Sequence, residues 1–130
     1  MSEIISILAL PGSLRRGSIT KTLLKTAAEV APANMTVTLF TLNEIPVYNN
    51  DVEKEEGFPP PVITMREAVE AADGIIFGTP EYNGSYSGVI KNAIDWASRG
   101  GILKKKPVVT MGGSPGALGA TKAQEHLRQV

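Results

Sequence analysis

Cysteine is absent from the 130-residue chain, which excludes a disulfide framework, a thiolate metal site and cysteine nucleophilic catalysis. A chain without cysteine suits a reducing compartment, and the cytoplasm is the expected location. Histidine occurs once, at His126, so an imidazole-based zinc or iron site is not expected. There is no G-x-S-x-G nucleophile elbow, and a Ser-His-Asp triad would have to recruit that single histidine, which argues against a hydrolase. An excess of either charge is also lacking. Thirteen basic and thirteen acidic residues cancel, so no global field points to nucleic acid or an anionic membrane surface. Long hydrophobic runs are missing: the first, residues 4–10, falls far short of the roughly 20 residues that span a bilayer. No Lys or Arg precedes it as a signal peptide would require. Neither nucleic acid nor a membrane is expected as a partner, and any anion site must be local.

What is present reads as one α/β domain. Apolar runs at 4–10, 74–79 and 107–111 lack period-2 alternation, as strands covered on both faces do. Residues 35–41, MTVTLFT, alternate and carry β-branched threonines, which predicts a strand nearer an edge. Apolar residues three or four apart predict helices over 20–30, 61–72 and 87–98, and residues 121–130 read as a helix with no stop signal. Residues 42–60, with Pro46, Asn49, Asn50, Gly57 and Pro59, predict a long surface loop whose apolar IPVY packs down on something. Strand and helix alternate, which implies a doubly wound parallel sheet with right-handed crossovers. The expectation is a single domain over 1–130 with four strands, one strand and helix fewer than a typical five-stranded domain, and so C-terminally truncated or unusually small.

In such a sheet ligands sit outside the carboxyl ends of the strands, at the switch point of the topology. The first loop there is PGSLRRGSIT, with the hydroxyls of Ser13, Ser18 and Thr20 and the guanidiniums of Arg15 and Arg16 just before a helix. Helix N-terminal amides and charge-assisted donors converge there on a compact anion such as phosphate. A helix cap alone would also explain Ser18 or Thr20, but the arginines exceed what a cap needs. Neither the P-loop spacing nor G-x-G-x-x-G occurs. The second loop, TPEYNGSYSG, offers backbone amides and the rings of Tyr82 and Tyr86 to a planar heterocycle, whereas Trp96 in the helix that follows reads as core. The third, GGSPGALGA, has four glycines in nine residues, which lets backbone approach a ligand closely. Together these loops fit a phosphate-bearing cofactor that brings its own reactivity, with no catalytic side chain assigned.

GSLRRGSIT and TPEYNGSYSGVIKNAIDW together resemble the NAD(P)H-dependent FMN reductase family of the flavodoxin-like fold, which includes bacterial quinone and chromate reductases and relatives of azoreductases. The resemblance implies a sheet in the order 2-1-3-4-5, with FMN across the carboxyl ends of strands 1, 3 and 4. Carried over by position, Ser13, Arg15, Ser18, Ile19 and Thr20 bind the FMN phosphate, with Thr20 where the family often has Asn. Pro80, Glu81, Tyr82, Asn83 and Gly84 line the isoalloxazine and its pyrimidine edge, with Glu81 alternatively serving a subunit contact. Ser114 to Leu118, Ser114 and Gly116 among them, lie near the far side of the ring or the ribityl chain. NADPH or NADH is the implied co-substrate, and a quinone, chromate, an azo compound or flavin the small-molecule electron acceptor, reduced in ping-pong order. A flavodoxin-type electron carrier without NAD(P)H turnover, or a truncated cofactor-free remnant, are the alternative readings. The resemblance further implies a homodimer or homotetramer, with the helix that contains Ala93, Trp96 and Ala97 as a candidate contact surface. The family's last strand and helix have no counterpart, which predicts an exposed apolar sheet edge.

Overall fold

The computed structural model describes residues 3–130; residues 1 and 2 of the N-terminal segment lie outside the described residues. Strand β1 (Ile5–Pro11) buries Leu8, Ala9 and Leu10 and pairs in parallel with β2 (Met35–Leu39) on one side and β3 (Gly74–Thr79) on the other. Strand β4 (Val108–Gly112) pairs with β3, so the sheet is all-parallel in the order β2-β1-β3-β4. This is the flavodoxin-like order for the strands present. The alternating MTVTL strand stands at one edge, as its half-polar pattern predicts.

Helix α1 (Ile19–Glu29) crosses β1, β3 and β4 on one face of the sheet. It comes close because Gly78 of β3 has no side chain: a Cβ there would stand 2.8 Å from both the Thr20 methyl and Leu24 Cδ1. The other face carries α3 (Pro60–Ala71), α4 (Gly88–Ala97) and α5 (Thr121–Leu127), packed over Leu8, Leu10, Ile75 and Phe77. The alternation of β3 separates the two layers, with Ile75 and Phe77 pointing opposite to Gly78. Trp96 is fully buried in this core, as its sequence context predicts.

Two expectations need correction and a third is narrowed. The 42–60 connector is not loop throughout: residues Asn50–Glu55 form helix α2. Asn49 accepts a hydrogen bond from Asp51 N at 2.9 Å, and Asp51 and Glu53 in the first turn and Lys54 in the last complement the helix dipole, so a short helix with Val52 as its one apolar residue forms without an apolar stripe. The apolar IPVY packs on this chain's own α4. The Pro46 carbonyl accepts from both Asn92 Nδ2 and Trp96 Nε1 at 2.8 Å, and Tyr48 meets Trp96 edge-on at 4.8 Å between ring centroids. Tyr48 hydroxyl donates to Glu53, and this bond, before burial, raises the phenol pKa above its ordinary value.

Second, β4 is not covered on both faces: it lies at the sheet edge with Val108 and Val109 exposed, beside an apolar groove of about 460 Å³ floored by Phe77, Ile94 and Leu103. The expected apolar edge is thus present. Third, Ala93, Trp96 and Ala97 are themselves buried inside the chain, so a subunit contact through α4 would use the outer side of that helix. They face α3 and the connector because α4 turns its apolar stripe inward.

Candidate functional site

The connection leaving β1 runs to β2 on one side and the connection leaving β3 runs to β4 on the other, so the topology switches between β1 and β3. The loops leaving β1, β3 and β4 meet above that point around a cleft of about 270 Å³. A groove of about 460 Å³ exists on the flank beside β4, but apolar side chains dominate it and it lies away from the strands' carboxyl ends. Position and donor chemistry select the smaller cleft.

The first loop contributes Ser13, Arg15, Ser18, Ile19 and Thr20 to the lining. Ser18 is the N-cap of α1: its extended backbone opens the helix and its Oγ accepts from Lys21 N at 3.0 Å. That bond uses an oxygen lone pair and leaves the hydroxyl hydrogen to donate. Ser13 Oγ likewise accepts from Arg15 N, at 3.4 Å. Both hydroxyls are buried, as is Thr20, whose methyl is wedged toward Gly78. The amides of Ile19 and Thr20, first in the helix, have no acceptor among the described residues. The Arg15 guanidinium makes no ion pair among the described residues and stands exposed at the rim. Free helix-end amides, hydroxyl hydrogens and one unpaired guanidinium form a donor set with no acid in the same loop, which fits a terminal phosphate.

The second loop contributes Pro80, Glu81 and Tyr82. Tyr82 and Ser85 exchange backbone hydrogen bonds of 3.0 and 3.1 Å, and Asn83 and Gly84 between them both have positive φ, 53° and 72°. This is an Asn-Gly hairpin turn, with the glycine meeting its geometric demand. Asn83 and Gly84 therefore sit at the hairpin tip, outside the cleft lining. Glu81 has a structural bond in addition to its place in the wall. Its Oε2 accepts from Ala123 N at 3.2 Å, capping α5, whose own N-cap residue Ala120 has φ 65° and no capping side chain. Ser85 Oγ and His126 Nδ1, 3.1 Å apart, add a second link from this loop to α5.

The third loop contributes Ser114 and Pro115, both within the expected stretch 114–118, together with Gly113, which lies outside it. Gly113 faces α1: a Cβ there would meet Ile19 Cγ2 at 3.3 Å. Gly116 lies outside the lining and donates its N–H to Ser114 Oγ at 3.2 Å. Gly113 was legible only as one glycine among four; nothing in the spacing separates it from Gly116. The structure thus gathers Ser13, Arg15, Ser18, Ile19, Thr20, Pro80, Glu81, Tyr82 and Ser114 around one cleft, and leaves Asn83, Gly84 and Gly116 beside it.

A phosphate at the α1 end leaves the wall of Pro80, Glu81 and Tyr82 for the remainder of a mononucleotide. Tyr82, in that wall, is half exposed. The residues present fit FMN: a donor cluster for its phosphate, a peptide wall for its ring and an apolar contact at Ile19.

Comparison with known proteins agrees. The family model described as NADPH-dependent FMN reductase matches residues 5–130. The chain is 47% identical to a Pseudomonas aeruginosa NAD(P)H-dependent FMN reductase and 44% identical to an Escherichia coli quinone reductase, aligning over all of this chain and 71% of each relative. Among solved structures it is similar to the flavoenzyme NAD(P)H:(acceptor) oxidoreductase FerB of Paracoccus denitrificans, with a TM-score of 0.90 and 36% identity over 97% of this chain and 70% of that one. With the strand order, the cleft and these matches in agreement, the chain belongs to the NADPH-dependent FMN reductase family.

Proposed function

We propose that this protein is an FMN-dependent NAD(P)H oxidoreductase that delivers electrons to a small-molecule acceptor such as a quinone, chromate, an azo compound or flavin. The observation that carries this reading is the meeting, in one cleft, of the α1 donor cluster with the Pro80–Tyr82 wall. FMN, when bound, supplies the redox chemistry, accepting hydride from NADPH or NADH and releasing electrons to the second substrate in ping-pong order. The chain's residues bind and orient. Arg15, Ser13, Ser18 and Thr20, with the amides of Ile19 and Thr20, hold the phosphate, while Pro80, Glu81, Tyr82 and Ser114 hold the ring end. Asn83 and Gly84 shape the hairpin that presents Tyr82, and Gly116 shapes the turn that presents Ser114.

Anaerobic addition of NADPH to FMN-loaded protein tests the activity. Loss of the oxidised-flavin absorbance, and its return when a quinone is added, is the expected result. An unbleached spectrum would leave an electron carrier without NAD(P)H turnover.

We further propose a homodimer or homotetramer in the cytoplasm. Val47, 84% exposed, and Leu14, 43% exposed, stand beside a groove of about 220 Å³ that also includes Ile45 and Val89, an apolar patch suited to a second copy. No helix among the described residues is long and apolar enough to cross a membrane. Sedimentation equilibrium tests the assembly: a monomer across the micromolar range overturns it.

A further inference from the structure

Beneath the cleft, out of reach of anything bound in it, lies a short buried hydrogen-bond chain that ties the first loop to the second. Thr79, the last residue of β3, and Ser87, the N-cap of α4, are 0% and 1% exposed, and neither lines the cleft. The Ser87 hydroxyl donates to the Gly12 carbonyl at 2.6 Å, across 75 residues of sequence, and its oxygen accepts from Ile90 N at 3.2 Å. Ser87 N in turn donates to Thr79 Oγ1 at 3.2 Å, and that hydroxyl donates to the Pro80 carbonyl at 2.7 Å. Gly12 precedes Ser13 of the donor cluster, and Pro80 begins the ring wall. The chain Gly12–Ser87–Thr79–Pro80 therefore joins the backbones of the cleft's two ends through two side chains.

We propose that Thr79 and Ser87 are positioning residues that set the spacing between the phosphate end and the ring end of the cleft. The inference rests on the reading of the cleft as an FMN site. Each hydroxyl is used as both donor and acceptor, so each fixes two backbone segments at once. The neighbours leave little slack: Gly12 N donates to Gly78 O at 2.8 Å, and a Cβ on Gly12 would stand 2.9 Å from Ser87 Oγ. Supporting bonds of this kind hold a site to the fraction of an ångström that tight binding of an extended ligand demands.

A ligand that engages both ends feels the spacing; a ligand that engages one end does not. The test is equilibrium titration of FMN and of riboflavin, which lacks the phosphate, into apoprotein variants, with far-UV circular dichroism monitoring the fold. Thr79→Val keeps the shape and removes the hydroxyl, and Thr79→Ser restores it. In Thr79→Val the Kd for FMN should rise on the order of tenfold, while that for riboflavin changes less than twofold. The ratio of the two constants thus collapses, and Thr79→Ser should recover it. Ser87→Ala, which cuts the tether to Gly12 and leaves Thr79 in place, should give the same collapse independently. Equal weakening of both ligands, or unchanged FMN affinity in folded Thr79→Val and Ser87→Ala, overturns the proposal while the cleft reading stands. Failure of the wild-type protein to bind FMN overturns both.

Discussion

Replacing Gly12 by alanine should damage both the fold and the cleft, and the geometry gives the size of the effect. The backbone of Gly12 is open to any residue, so the constraint is space. An added Cβ would stand 2.7 Å from the Gly78 carbonyl oxygen, 2.9 Å from Ser87 Oγ and 2.9 Å from Ile90 Cβ. None of these is the far end of a flexible side chain. Relief requires β1 to move from β3 or α4 to move off the sheet, and either movement stretches the 2.8 Å bond from Gly12 N to Gly78 O or the 2.6 Å bond from Ser87 Oγ to Gly12 O. Overpacking of this kind costs about 1–3 kcal/mol. One buried hydrogen bond lost adds about 1 kcal/mol. The expected destabilisation is therefore roughly 2–4 kcal/mol, a large share of the roughly 5–15 kcal/mol available to a domain. In urea, followed by far-UV circular dichroism, the midpoint should fall by about 1 M or more for an m-value near 2 kcal/mol/M. Below the transition, FMN affinity should fall as well, because Ser13 follows Gly12 directly. A Gly12→Ala protein within about 0.5 kcal/mol of wild type would refute this account of the strand ends.

Other outcomes follow from the same contacts. Glu81→Ala removes the only side-chain cap of α5 among the described residues and should lower stability by about 0.5–2 kcal/mol in thermal unfolding. Glu81→Gln keeps an acceptor and loses only the charge at the helix end, so it should fall between Ala and wild type; equal melting of all three would discount the cap. Asp73 accepts from the Ser6 amide at 2.8 Å and from the Ser6 hydroxyl at 3.1 Å, and these bonds, the amide first, lower its carboxyl pKa. A lowered folded pKa means that the contribution is present above the ordinary aspartate value of about 4 and is lost as pH falls through the folded one. The stability gap between wild type and Asp73→Asn should therefore narrow on acidification below about pH 4, and a gap constant with pH would exclude the linkage.

The strands and the large helices were legible because burial imposes period. ISILALP and GIIFGT are continuous apolar runs since each sits between neighbouring strands, and MTVTL alternates since it stands at an edge. Helix α2 was not legible: it buries no residue, so it has no apolar period, and only Asn49 and the acidic first turn signalled it. Of the site, the donor cluster was visible because its residues are contiguous. The division of the second loop into wall and hairpin tip was encoded in the Asn-Gly pair, a local signal that favours a turn over a ligand contact. The bond from Glu81 to Ala123 and that from Ser87 to Gly12 join residues 42 and 75 positions apart, and no local pattern carries them. The burial of Ala93, Trp96 and Ala97 within the chain was hidden for a related reason. Ala93, Trp96 and Ala97 are small or apolar positions of α4, which suits a subunit interface and an internal core equally, and the IPVY segment decided for the core.

The central claim is that the α1 donor cluster is the phosphate end of an FMN site, and titration of FMN into wild-type and Arg15→Ala protein tests it most directly. Flavin fluorescence quenching should show one FMN per chain in the wild type. Arg15→Ala should bind more weakly by roughly tenfold or more, since a charge-assisted contact of about 1.5–3 kcal/mol is lost. Riboflavin should not distinguish the two proteins. Equal FMN affinity in both, or no binding by the wild type, would contradict the account.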